Sequence, residues 1–435
     1  MIRAGLRITE LSANGRRALV LVLGLLLAAC GTARPGIEDQ AERFVTIALS
    51  YAQIDEAVLD GYFGPEELRP APDEEPTVEE LRAQLVTLKG ELGDTPPGDR
   101  AMRLLARIES LIALMDSKGD DADLNFAEEA EEVYGLTIAE PDMVPLDAAR
   151  AELERLLPGP NSLAKRIAEF EGRFVIPLDR RMQLFERALL ECRNATARHW
   201  TLPAGERLAT GWTDAALAAW HRYEGGLRSR LQVNPMAVAT IGSTLDIACH
   251  EAYPGHHAQF LAMEKAAGEG GLPVEDRLVL VQSPGQLLRE GAAEYGLGLA
   301  FPEEVRAGLM RDILFPMAGF NPDAAAKYTR VHQLTKLLAA ATTPILRDYL
   351  DGELTFSDAA HALENDALIA SPRALLQFVR ANRAYVLGYV VARDKLAGCI
   401  ATRNPSGEAE GNWQALEDIV ANSDLSALRG AACAG

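Results

Sequence analysis

Pro254 follows His250 by four residues and precedes His256 by two, and it forbids the regular element that its neighbours would otherwise form. Proline has no N–H to give the carbonyl four residues back, and its ring clashes with that carbonyl. A helix running through His250 must therefore kink or bulge here. The interruption falls inside the run His250-Glu251-Ala252-Tyr253-Pro254-Gly255-His256-His257, which holds three of the seven histidines in the chain. Neutral imidazole is the commonest zinc ligand, and a glutamate directly after the first histidine is where helical zinc hydrolases keep the group that takes a proton from metal-bound water. The run reads as a metal site with Glu251 as the base; the competing reading is a histidine cluster without an ion.

On an uninterrupted helix neither later histidine would reach an ion held by His250. Residue i+6 points roughly 120° away, and i+7 shares the face but lies about 10 Å further along the axis. A deformation at Pro254 is required whichever histidine binds, and Gly255 tolerates the backbone that returns one to the metal. On the residues alone, His256 and His257 both stay open.

A third ligand is expected downstream. Ser283-Pro284 resembles an N-cap followed by proline at the first helical position, which places Leu288-Arg289-Glu290-Gly291-Ala292-Ala293-Glu294-Tyr295 in a helix. Glu290 is the candidate ligand. Glu294, one turn later on the same face, is placed to accept the outer N–H of a ligand histidine. Asp246, four residues before His250, is a second candidate for that outer role. A solvated acidic helix face is the alternative for the Glu290 and Glu294 pair.

The run HEAYPGHH followed by E-G-A-A-E-Y resembles the bacterial domain-of-unknown-function family numbered 885, whose members look like zinc peptidases with a His-Glu motif and a downstream glutamate ligand. Weaker matches agree: Asp60-Gly61-Tyr62-Phe63-Gly64-Pro65, Tyr223-Glu224-Gly225-Gly226 leading to Ser229 and Val233-Asn234, and Tyr385-Val386-Leu387-Gly388. The E-G-A-A-E-Y run departs from the E-G-W-A form of many members. The glycine before the second histidine is also similar to dipeptidyl peptidase III, and that likeness favours His256 as ligand. The resemblance thus implies one zinc per chain on His250, His256 and Glu290.

Arg3, Arg7, Arg16 and Arg17 precede an apolar run from Ala18 to Ala29, long enough for a signal-peptide core and too short to span a bilayer stably. Leu27-Ala28-Ala29-Cys30 resembles a bacterial lipobox, implying cleavage before Cys30 and lipid on its thiol; an ordinary signal peptide with an incidental cysteine is the alternative. The expected organisation is a signal peptide at 1–29, a tether at 30–38, a helical region at 39–157 and a metal-bearing region at 158–435, divided at Pro158-Gly159-Pro160. Gly31 after the cysteine suggests an outer-membrane protein facing the periplasm if the cell is Gram-negative. Membrane contact is then through the N-terminal lipid only.

A net charge of −20 argues against nucleic acid and against a basic grip on anionic lipid. Cys192, Cys249, Cys399 and Cys433 lack metal-type spacing, and four cysteines allow three full pairings. Cys249 reads as a small buried residue.

The fold is expected to be mainly α with a small β element. Thr77-Val78-Glu79-Glu80 is a capping box ahead of Leu81, Leu85 and Leu88, with Gly90 as a stop. Met102, Leu105, Ile108, Leu111, Ile112 and Met115 mark the next stripe. Arg228 to Asn234 alternates as a strand does, and an edge strand of that kind often binds an extended peptide; a plain hairpin edge is equally compatible. Gly296-Leu297-Gly298 reads as a weak spot in a helix. Ser371-Pro372 opens a helix expected to carry Leu375 through Tyr389. On it Tyr385 is a candidate donor to an oxyanion, with His257 and His332 as competitors. His199, His221 and His361 read as structural.

The expected activity is that of a zinc metallopeptidase-like hydrolase acting on a peptide or other amide. The other class to separate is a non-catalytic metal- or substrate-binding envelope lipoprotein, which a fourth protein ligand would favour. Sequence does not choose among endo-, carboxy-, amino- and dipeptidase action, and it is silent on oligomeric state.

Overall fold

The computed structural model describes residues 36–71, 76–93, 98–118, 124–215, 218–268 and 271–433. The signal-type segment and Cys30 lie outside the described residues. The protein is mainly helical with a small β part, as its patterning predicts. The first half carries α1 (Ile37–Ile54), α2 (Val78–Gly93), α3 (Asp99–Ser117), α4 (Phe126–Tyr134), α5 (Met143–Leu156), α6 (Leu163–Glu171) and α7 (Leu178–Thr196). The second carries α8 (Ile241–Glu251), α9 (His256–Ala267), α10 (Pro284–Ala300), α11 (Glu303–Leu309), α12 (Phe315–Ala318) and α13 (Ala325–Leu338). It ends with α14 (Thr342–Leu350), α15 (Phe356–Asn365), α16 (Pro372–Asn382), α17 (Val391–Arg403) and α18 (Ala409–Ala421). Among the described residues no helix is long and apolar enough to cross a membrane.

Local signals account for several of these elements. At α2 the Thr77 hydroxyl accepts from the Glu80 N–H at 3.2 Å, and the Glu80 carboxylate accepts from the Thr77 N–H at 2.9 Å. The helix buries Leu81, Leu85 and Leu88 but runs past Gly90 to Gly93, since one internal glycine costs only about 1 kcal/mol. In α3 the buried face is Leu104, Ile108, Leu111 and Met115, whereas Met102 is exposed.

Two small sheets frame the centre. Strand β1 (Leu59–Tyr62) pairs antiparallel with β5 (Leu278–Leu280), and β2 (Arg207–Trp212), β3 (Ala219–Gly225) and β4 (Arg228–Val233) form a sheet in the order β2-β4-β3. Strand β2 runs parallel to β4, and β3 antiparallel. The alternation seen in the sequence is real, with Ser229, Leu231 and Val233 buried. Its expected edge position is not: β4 has partners on both sides, because β2 returns beside it from some twenty residues upstream. The edge strand beside the central cavity is β3.

One hydrophobic core contains Phe44, Leu88 and Tyr134 from the first region together with Leu245, Leu287 and Leu396 from the second. Pro158-Gly159-Pro160 is a connection between α5 and α6, and the core continues across it. Of the three possible cysteine pairings the protein has Cys192–Cys249, which ties α7 to α8, and Cys399–Cys433.

Candidate metal centre

The deformation at Pro254 is a full break. Helix α8 ends at Glu251 and α9 begins at His256, with a cis Tyr253–Pro254 peptide between them. Gly255 has φ −73°, open to any residue, so its role is not the conformational freedom expected of it. What it supplies is space: a Cβ there would lie 1.6 Å from the His250 carbonyl oxygen and 2.5 Å from that of Cys249. The Gly255 N–H donates to the Cys249 carbonyl at 3.1 Å, so the new helix starts against the end of the old one. Pro254 packs on α10 at Gly296, where a Cβ would meet its Cγ at 2.6 Å. The supposed weak spot is a contact point at Gly296, while Gly298 has open space.

Helix α10 starts as expected, with the Ser283 hydroxyl accepting from the Gln286 N–H at 3.2 Å and Pro284 in the first turn. It brings Glu290 to the break. His250, His256 and Glu290 have ligand-type atoms within 4.8 Å of one another. Glu290 Oε2 lies 3.0 Å from His250 Nε2, and Oε1 lies 3.4 Å from His256 Nε2. The other nitrogen of His250, Nδ1, faces Glu294 Oε1 at 3.1 Å. Two imidazoles and a carboxylate suit zinc, and a small adjustment would bring all three donors within about 2 Å of one ion. Glu294 on the far nitrogen is the orienting partner that metal-bound histidines usually have.

Asp246 stands further out than expected. Its carboxylate engages Arg306, His332 Nε2 at 2.9 Å and Lys336 at 3.2 Å, and Lys336 reaches Glu294 at 3.0 Å. It therefore acts on His250 through Lys336 and Glu294. His332, one of the candidate oxyanion groups, is held in this network and is not in the cavity wall.

His257 is also turned away from the cavity. Fully buried, its Nδ1 meets the Ser229 hydroxyl at 2.7 Å and its Nε2 meets Glu206 Oε2 at 3.0 Å. Glu206 also accepts from Tyr253 at 2.8 Å and from Arg193 at 2.8 Å. Both ring nitrogens are used, so His257 fixes the start of α9 to the sheet and faces an outer carboxylate rather than substrate.

The triad opens on a cavity of about 190 Å³ whose wall includes Glu251, His221, Gln286, Arg289, Tyr385, Tyr389 and Asp60. Tyr385 is not on the preceding helix: α16 stops at Asn382, Arg383 takes φ +43°, and Arg383–Gly388 forms a 3-10 turn. Glu129 of α4 pins that turn through the Arg383 guanidinium and the Ala384 N–H. The Tyr385 hydroxyl donates to Glu290 Oε1 at 2.7 Å, beside the Gln286 amide at 2.8 Å, so Glu290 is oriented by groups from two elements. Gly388 permits this approach, since a Cβ there would lie 2.8 Å from the Glu290 Cβ.

The wall is strongly polarised. Burial raises the Glu251 carboxyl above its ordinary value, against the pull of His250 and His256, and Glu290 and Asp60 add to the rise. That suits a base. Burial alone would raise Glu290, but His256 and His250 hold it well below the carboxylate range. Burial takes His221 well below its usual value, so the ring is neutral, and its Nε2 has no hydrogen-bond partner. Burial brings Arg289 down to about 10, still a cation at neutral pH. His221, read as structural, thus belongs to the cavity. Asp60, Gln286, Arg289, Tyr389 and Glu206 carried no spacing signal that assigns them; Asp60 did fall in one of the runs shared with the resembled family.

No family model matches the chain, and no curated protein does. Among solved structures, a provisionally assigned lipoprotein from Colwellia psychrerythraea is similar at TM-score 0.45 and 12% identity over 80% of this chain, which spans 63% of that one. Another, from Shewanella oneidensis and of unknown function, is similar at TM-score 0.44 and 12% identity, covering 95% of this chain and 93% of the other. Likenesses at this level carry no argument about the site.

Proposed function

We propose that the protein is a zinc-dependent peptidase of the cell envelope, of the kind implied by its resemblance to family 885, anchored by lipid on Cys30. The observation that carries the reading is the convergence of His250, His256 and Glu290 beside Glu251 in one cavity. A zinc ion on those three residues would supply Lewis acidity for a carbonyl and acidify a water. Glu251 has no protein donor on its carboxylate among the described residues and is free to take the proton of the attacking water. Glu294 and, through it, Lys336 and Asp246 hold the His250 ring. Tyr385 and Tyr389 keep their protons, since burial and the Glu290 charge push both hydroxyls well above their usual range. The Tyr385 proton is already given to Glu290, so Tyr389 and the neutral His221 are the available donors to a developing oxyanion. The commitment of both His257 nitrogens elsewhere supports an open coordination position, as catalysis needs, over a closed binding site.

The test is a peptide-library digest with zinc-loaded protein, read by mass spectrometry beside Glu251→Gln. Cleavage lost in the variant with zinc retained is the expected result; no cleavage, or equal cleavage in both, refutes the proposal. Detergent partitioning beside Cys30→Ser tests the anchor: a processed wild type found wholly in the aqueous phase rules it out.

A further inference from the structure

Arg289 is a buried cation in the cavity wall that has no carboxylate within ion-pair distance among the described residues. Its side chain is 9% exposed, and none of the ion pairs within 4.0 Å among the described residues includes it. Its Nε and Nη2 both donate to a single neutral oxygen, Gln286 Oε1, at 3.0 and 2.8 Å. The guanidinium carbon lies 5.4 Å from the centre of the Phe260 ring. Asp60 shares the cavity and its charge acts on Arg289, as do those of Asp276 and Glu290, but none of them forms an ion pair with it within 4.0 Å. Buried charges in folded proteins are ordinarily paired, because desolvating an ion without a partner is costly. A planar guanidinium held by packing and opening on a cavity is the group best suited to a carboxylate, which it grips with two parallel N–H donors.

We propose that Arg289 anchors the free C-terminal carboxylate of a short peptide, so that the centre works at the carboxyl end of its substrate. This rests on the peptidase reading and deepens it. Arg289 precedes Glu290 on α10, so a carboxylate seated on it stands in the same cavity as Glu251 and the triad. At about 190 Å³ the cavity is smaller than the roughly 300–1,000 Å³ typical of small-molecule sites, which suits a chain end better than a long segment running through. The cavity also holds Glu251, Glu290 and Asp60, so without an anchoring cation it would repel an anionic chain end.

The experiment measures binding, so that it stands apart from turnover. Zinc-loaded Glu251→Gln protein is titrated with acetyl-Ala-Ala-Ala as the free acid, with the same peptide as the amide, and with acetyl-Ala-Glu-Ala amide, whose only carboxylate is a side chain. Trp220, in the cavity wall, provides a fluorescence signal. The free acid should bind about 10- to 100-fold tighter than its amide, the range expected for a charge-assisted pair. Adding Arg289→Gln should abolish that preference with zinc content and circular dichroism unchanged; adding Arg289→Lys should keep part of it. Equal affinity for acid and amide, no binding of either, or tightest binding of the glutamate-containing amide would each overturn the proposal. If Arg289→Gln fails to fold, the acid-to-amide ratio of the unsubstituted site and Arg289→Lys still decide. Acid-selective binding without cleavage by the wild type would leave Arg289 as anchor and remove the peptidase reading. Equal cleavage of acids and amides would do the reverse.

Discussion

His256 and His257 are neighbours in sequence with opposite surroundings, and single substitutions should separate them. His256→Ala removes a member of the triad and should empty the site, read as zinc per chain after loading and desalting. His257→Ala should keep zinc but lower stability by about 1–3 kcal/mol in denaturant unfolding, because it leaves Ser229 and Glu206 short of a buried partner. Zinc lost from His257→Ala and kept by His256→Ala would reverse the assignment. Glu206 gives a pH test. Burial alone would raise it, but hydrogen bonds from His257, Arg193 and Tyr253 bring it down to about 2, against 4.5 for the free group. A carboxyl lowered in the folded state stabilises fully above its unfolded value and loses that contribution as pH falls through its folded value. The stability gap between wild type and Glu206→Gln should thus be constant above about pH 5 and close between pH 4.5 and pH 2, measured by unfolding at each pH. A gap that does not narrow in that window refutes the assignment. The His-Glu run and the glutamate a helix later were legible because they are dense in the sequence and close to strong punctuation. Glu206, 51 residues before His257, was not, since nothing local marks a carboxylate that only the sheet brings to its partner.

Glycines decide how the elements around the site meet. Gly255→Ala would push a methyl group into the His250 and Cys249 carbonyls, so α8 and α9 could no longer abut. A loss of roughly 3 kcal/mol or more, with zinc lost as well, is expected for a clash against backbone. Gly296→Ala would collide with Pro254 and destabilise, by about 1–3 kcal/mol. Gly298→Ala, two residues on, meets nothing within 4 Å and should stabilise by up to about 1 kcal/mol through helix propensity. Thermal or denaturant unfolding of the two variants side by side checks this pair, and equal effects would show that α10 does not bear on Pro254. The period of hydrophobic residues located the helices after Thr77 and around Ile108, because a buried stripe leaves its mark in the order of residues. It could not say which glycine faces another backbone, nor that β2 would flank β4, since both depend on chain segments far away.

Across the whole molecule, the regions on either side of Pro158-Gly159-Pro160 share one hydrophobic core. Strand β1 pairs with β5, Arg107 and Arg100 of α3 engage Asp276 and Glu275 beside β5, and Asp60 closes the cavity. A fragment of residues 158–435 should therefore show no cooperative unfolding transition and hold no stoichiometric zinc, whereas the span 36–435 should unfold cooperatively and hold one zinc per chain. A folded, zinc-binding short fragment would show that the first region is dispensable. Pro-Gly-Pro punctuation is a local property legible in sequence, while continuity of a core is visible only once distant helices are packed. The reach of the cavity wall from Asp60 to Tyr389 also bears on the order of events during biosynthesis. Chains emerge N-terminus first and domains fold as units, so this cavity cannot close until nearly the whole polypeptide has been made. Whatever chemistry the centre performs, a growing chain does not yet carry it.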